Sequence, residues 1–77
     1  MKAQILSILG EIRPEYDFSA DVNFIDEGML DSFDIVSLVD AIDESFGISV
    51  SGADILPENF SSVEAIEALI KRSKPKK

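Results

Sequence analysis

Apolar positions divide the chain into segments of different character. Between residues 2 and 13, Ile5, Ile8, Leu9 and Ile12 recur at steps of three and four, which places them on one face of an amphipathic helix. Pro14 ends that helix, because the residue before a proline is pushed out of the helical region. Residues 15–30 form a long connection, polar and acidic, that nevertheless carries Tyr16, Phe18, Val22, Phe24, Ile25, Met29 and Leu30. So many large apolar groups predict a loop pinned to a core, since a free linker would not carry them.

The clearest element follows. Asp31 is a good N-cap, its carboxylate able to accept from the amide of Asp34 or of the residue before it. No Gly or Pro interrupts the run to Phe46, and Gly47 stands where a left-handed C-terminal residue is wanted. Stepping about 100° per residue from Leu38 puts Ile35, Leu38, Val39, Ile42 and Phe46 within one quadrant, the core face. Ser37, Asp40, Asp43 and Glu44 fall on the far side, together with Phe33 and Val36. Beyond Gly47, Ile48 and Val50 alternate with serines in a short extended piece. Residues 53–56 predict one short helical turn before Pro57. Ser61-Ser62-Val63-Glu64 matches a capping box with Ser61 as N-cap, opening a last helix whose buried stripe is Val63, Ile66, Leu69 and Ile70. The expectation is an all-α fold, a small four-helix bundle of three longer helices plus one short helix, with a long first loop. Ile5, Leu9, Leu38, Ile42, Ile66 and Leu69 should converge in its core. Residues 1–72 make the domain and 73–77 a basic C-terminal tail.

Length and composition narrow the function. At 77 residues there is room for one small core and little for an enclosed cleft, while 45% hydrophobic and 29% charged residues fit a folded globule. The chain has no cysteine and no histidine, so disulfides, zinc-thiolate sites and the usual general base near neutral pH are all missing. These absences argue against a self-contained enzyme of conventional type. The net charge of −8 is unevenly spread: fourteen of the fifteen Asp and Glu lie between Arg13 and Lys71, a stretch without any Lys or Arg. Such a body repels phosphate backbones, which argues against nucleic acid, and favours partners with basic patches through salt-sensitive association. Lys71, Arg72, Lys74, Lys76 and Lys77 read as a solvated, fraying terminus whose first cations sit well at a helix C-terminus. No leader or span-length apolar run is visible, so a cytoplasmic, monomeric protein with no membrane span is expected.

The segment from Asp26 to Asp34 is richest in chemistry. It sets the Ser32 hydroxyl at the first turn of a helix, beside a capping aspartate. Asp-Ser at a helix start is also ordinary capping, and that reading stands beside the functional one. Ser32 follows the better cap, however, which leaves its hydroxyl free to point outward between Phe33 and Val36. A phosphate ester there would meet unpaired amides and the positive end of the helix dipole. As a catalytic nucleophile Ser32 lacks an adjacent base, so no catalytic residue is assigned. A calcium loop starting at Asp21 would want a ligand at Ile25, glycine at Asp26 and glutamate at Ser32, and fails at each. No metal site is expected, because pairs such as Asp26/Glu27 or Asp43/Glu44 are ordinary solvated surface. The alternative from another class is an acidic helical adaptor or cation-binding module without a covalent cofactor.

Gly28-Met29-Leu30-Asp31-Ser32-Phe33-Asp34-Ile35-Val36 resembles the attachment motif of the acyl carrier proteins and their peptidyl carrier relatives. The likeness extends over nearly the whole chain, through the long first loop to the Phe60-Ser61-Ser62-Val63 start of the last helix. It implies a 4′-phosphopantetheine arm, taken from coenzyme A and placed on Ser32, next to Asp31, by a separate phosphopantetheinyl transferase. It also implies cargo held as a thioester and shown to an acyl or aminoacyl loading enzyme and a downstream synthase or transferase with a basic docking surface. The helix that starts at the modified serine is the family's main recognition element. Phe33, Asp34, Val36, Asp40, Asp43 and Glu44 would then contact partners. Phe33 replaces the common leucine, Ser37 the glutamate of fatty-acid carriers and Asp40 an apolar residue. These departures speak against the main fatty-acid carrier and fit a specialised stand-alone carrier for polyketide, peptide or D-alanyl transfer. Pro57-Glu58-Asn59-Phe60 leans toward the peptidyl type.

Overall fold

The structure, a computed structural model, describes residues 1–75. Helix α1 spans Lys2–Ile12, α2 Ser32–Phe46 and α3 Val63–Arg72, with two-residue strands β1 (Ile48–Ser49) and β2 (Lys74–Pro75). The helices are mostly where hydrophobic periodicity puts them. Arg13 leaves the helical region at φ −134°, as its place before Pro14 requires. Asp31 caps α2 in extended geometry, and Gly47 ends it at φ 63°, a left-handed conformation that costs glycine little.

Three local expectations are corrected. The short fourth helix is a 3-10 turn, Gly52–Asp54, which overlaps the expected residues 53–56 only in part, and a second 3-10 turn, Pro57–Phe60, follows it. Leu56 is held extended at ψ 143° by the proline that follows, so the turn does not run on to residue 56. The cap of α3 is Ser62, whose hydroxyl accepts from the Ala65 amide at 3.0 Å. Ser61 instead ends the preceding turn in a helical conformation and donates its hydroxyl to the Glu58 carbonyl at 2.9 Å. That conformation denies it the extended geometry an N-cap needs. The tail does not simply fray from residue 73: β2 pairs antiparallel with β1, Ile48 opposite Pro75 and Ser49 opposite Lys74. Lys76 and Lys77 lie outside the described residues.

Ile5, Leu9, Leu38, Ile42, Ile66 and Leu69 do converge, all fully buried in one cluster with Phe24 and Phe60. The first loop feeds that cluster through Phe18, Phe24, Met29 and Leu30, and the rings of Phe18 and Phe24 meet edge-on at 5.0 Å. Its backbone is anchored too, the Phe24 amide donating to the Ser61 carbonyl at 2.8 Å. Tyr16 and Val22 stay at the surface, so the pinning is by some of the apolar residues and not by the whole loop. This anchoring fixes the approach of the chain to the head of α2.

Leu38 is central to the cluster. Leu38→Ala should destabilise the domain by about 2–5 kcal/mol, read from urea unfolding followed by circular dichroism. For a domain this small that is a large share of the total.

Candidate functional site

Two aspartates build the head of α2. Asp31 Oδ1 accepts the Asp34 amide at 2.9 Å, and Asp34 Oδ2 accepts the Asp31 amide at 3.0 Å, a reciprocal capping box. Arg13, just past the end of α1, closes over both. Its Nε donates to Asp34 Oδ2 at 2.8 Å and its Nη2 to Asp31 Oδ2 at 3.1 Å, while Nη1 reaches Glu15 Oε2 at 3.2 Å. The bond to Asp34 is the main reason the Arg13 guanidinium is held above its ordinary pKa, with that to Glu15 next. Asp31 is held below the usual carboxylate range, chiefly by the Asp34 amide and further by the attraction of Arg13, against some desolvation.

Asp34 therefore differs from its expected place on the partner-facing surface. It is 8% exposed, the one buried charged residue among those described. The helical wheel contained the signal, since Asp34 stands about 40° from Leu38, beside the core quadrant. Sequence reasoning also gave Arg13 no role. Its isolation was the available clue, because it is the only cation near a long run of carboxylates.

The other expected residues fall as follows. Ser32 is the first residue of α2, is exposed, and its hydroxyl has no hydrogen-bond partner among the described residues. Beside it Phe33 is 83% and Val36 59% exposed, far more than any buried role would permit. Asp40 and Glu44 lie exposed on the same helix. Asp43 is half-buried and Oδ1 accepts the Val50 amide at 3.1 Å, so it ties α2 to the segment after β1. Two open depressions of about 290 and 590 Å³ indent the surface, and Ser32 lines neither. Among the described residues no group of three or more His, Cys, Asp or Glu is gathered to hold a metal ion. No described helix is long and apolar enough to cross a membrane.

A family model described as "Phosphopantetheine attachment site" matches residues 2–70. The chain belongs to that family. A D-alanyl carrier protein from Abiotrophia defectiva is 28% identical over 74 residues, covering 94% of each chain. An aminoacyl carrier protein from Bradyrhizobium diazoefficiens, "Aminoacyl carrier protein 1", is 30% identical over 74 residues, 91% of this chain and 81% of the relative. No solved structure matches. Members of this family are carriers and not themselves enzymes, and their domain is where 4′-phosphopantetheine is covalently attached.

The clamp at the head of this carrier is open to test in two ways. Arg13→Met leaves Asp34 buried without its cation, so the melting temperature should fall. Adding Asp34→Asn should restore part of the loss, an interaction that a double-mutant thermal series measures. The lowered pKa of Asp31 means that the unfolded chain binds its proton more readily. Its stabilisation is complete above the ordinary carboxylate range, below which (about pH 4) it is lost as pH falls. In Asp31→Asn, which keeps a capping side chain, the acid-side decline of melting temperature should be shallower than in the wild type.

Proposed function

We propose that Ser32 is the residue that bears the 4′-phosphopantetheine arm, and that the chain presents acyl or aminoacyl cargo to partner enzymes. The observation that carries this reading is the exposed Ser32 hydroxyl, unpartnered among described residues, at the first position of α2. The neighbouring polar side chains Asp31 and Asp34 are engaged in capping, and Ser32 is not. The site suits a phosphodiester, because a charge on Ser32 would sit at the positive end of the helix dipole. When bound, the arm supplies a terminal thiol, absent from this cysteine-free chain, on which cargo is held as a thioester.

The protein's own residues locate that arm and recruit its partners. Asp31 and Asp34 fix the first turn, so the direction of the Ser32 side chain is set by a rigid element. Phe33 and Val36 form an apolar pair beside it that a partner can cover. Asp40 and Glu44, with the half-buried Asp43, give α2 an acidic rim, complementary to a basic docking surface on a phosphopantetheinyl transferase, a loading enzyme and a downstream synthase or transferase. The names of the two relatives support an aminoacyl or D-alanyl cargo. Phe33, Ser37 and Asp40, which depart from fatty-acid carriers, speak against the main fatty-acid carrier and fit polyketide, peptide or D-alanyl transfer alike. The carrier works as a soluble monomer in the cytoplasm on this reading.

Intact-mass analysis after incubation with coenzyme A and a broad-specificity phosphopantetheinyl transferase tests it. The wild type should gain one arm, and Ser32→Ala none, while keeping the wild-type melting temperature. An arm on Ser32→Ala would place the attachment on another residue, and an unmodified wild type where a known carrier is loaded in parallel would leave the acidic adaptor as the better account. Phe33→Ala should raise the transferase KM for the carrier without lowering the melting temperature, since its ring is exposed.

A further inference from the structure

The cations at the C-terminal end are placed by the fold. Pairing of β2 with β1 sets Arg72, Ser73 and Lys74 opposite Ser49, Ser51 and Asp54 around the depression of about 590 Å³. The strand β1 follows α2 directly after Gly47, so this cleft lies at the C-terminal end of α2, opposite its Ser32 end. At about 1.5 Å per residue the helix separates them by roughly 20 Å. Lys71, Arg72 and Lys74 form no ion pair with a described residue. Lys71 and Arg72, in the last turn of α3, offset the negative end of its dipole. Lys74 lies beyond the helix, held by the strand pairing, and the dipole does not account for it.

The lining is suited to anions. The Ser51 oxygen accepts from the Ala53 amide, which leaves its proton to donate, and the Ser49 hydroxyl has no described partner. Asp54 is the single acidic residue of the cleft, against two cations. We propose that this cleft is a second docking surface, which takes an acidic peptide segment of a partner protein with carboxylates on Arg72 and Lys74. The cleft is concave and holds a carboxylate of its own, which suits separate side chains. A flat anionic bilayer does not follow a concave surface, whereas a peptide segment can enter it. A partner held here would leave the Ser32 end of α2 accessible, and the proposal does not depend on what Ser32 carries.

Titration of the ¹⁵N-labelled full chain with a hexaglutamate peptide decides the matter. Amide shifts should concentrate at Ser49, Ser51, Arg72, Ser73 and Lys74, and the affinity should weaken several-fold with added salt. Arg72→Glu combined with Lys74→Glu should reduce it about tenfold or more. If charge reversal disturbs the fold, Arg72→Gln with Lys74→Gln serves instead and should still weaken binding. The proposal is overturned if shifts are absent from the cleft, if they persist unchanged in the folded variant, or if phosphatidylserine vesicles bind there and the peptide does not. Loading at Ser32 should be the same in every variant.

Discussion

The contact between the Arg13 guanidinium and the Asp34 carboxylate is the constraint on which the working end of the molecule rests. It joins the end of α1 to the head of α2, two elements separated in sequence by the whole first loop. Arg13 meets three carboxylates, but they are not equivalent. The side chains of Asp31 and Glu15 are 56% and 52% exposed, so water and salt screen those pairs and they add little. That of Asp34 is 12% exposed, and a carboxylate so enclosed is tolerable only with its charge matched and its oxygens bonded. The Asp34 contact therefore orders the region, and the other two follow from the reach of the guanidinium fork. Pro14 contributes from the other side. By forcing Arg13 out of the helix it frees the side chain to turn across the gap.

Much of this was legible in the sequence, and the failures have definite causes. Periodicity located α1, α2 and α3 and the six converging core residues, because burial of an apolar stripe dominates the energetics of a small helical domain. Caps were read well where one side chain had no competitor, as at Asp31 and Gly47. With two adjacent serines the decision between Ser61 and Ser62 depended on the 3-10 turn ahead of them, a feature that propensity does not encode. The bounds of the short helical turn were misplaced for a related reason, since Pro57 acts on Leu56 and so on the end of the turn before it. Asp34 was assigned to the surface by carrying the family's recognition helix over position by position. Its burial depends on a cation supplied from another helix, and single-sequence reasoning has no direct access to that pairing.

Charge is segregated along the molecule, and the arrangement bears on how a carrier meets several enzymes. A field from the acidic body acts over roughly a Debye length, about 8 Å at physiological salt, and favours basic surfaces without selecting one. Selection at close range requires contacts that exclude water. On α2 the exposed Phe33 and Val36 are suited to that, since apolar burial is non-directional and accepts partners of different detail. The C-terminal cations contribute the opposite sign at the far end of the same helix, so the molecule has an electrostatic direction as well as a net charge.

Whether Ser32 is a helix cap or an attachment point is a question the local geometry reframes. A serine at the start of a helix ordinarily spends its hydroxyl on a backbone amide. Here that amide belongs to Asp34 and is already taken by Asp31, while the Asp31 amide is taken in return by Asp34. The guanidinium of Arg13 reinforces both bonds, so the exchange does not depend on any serine. Capping is thus complete one residue before Ser32. The hydroxyl is left without a hydrogen-bond partner among the described residues, at a turn already held by the capping box and Arg13.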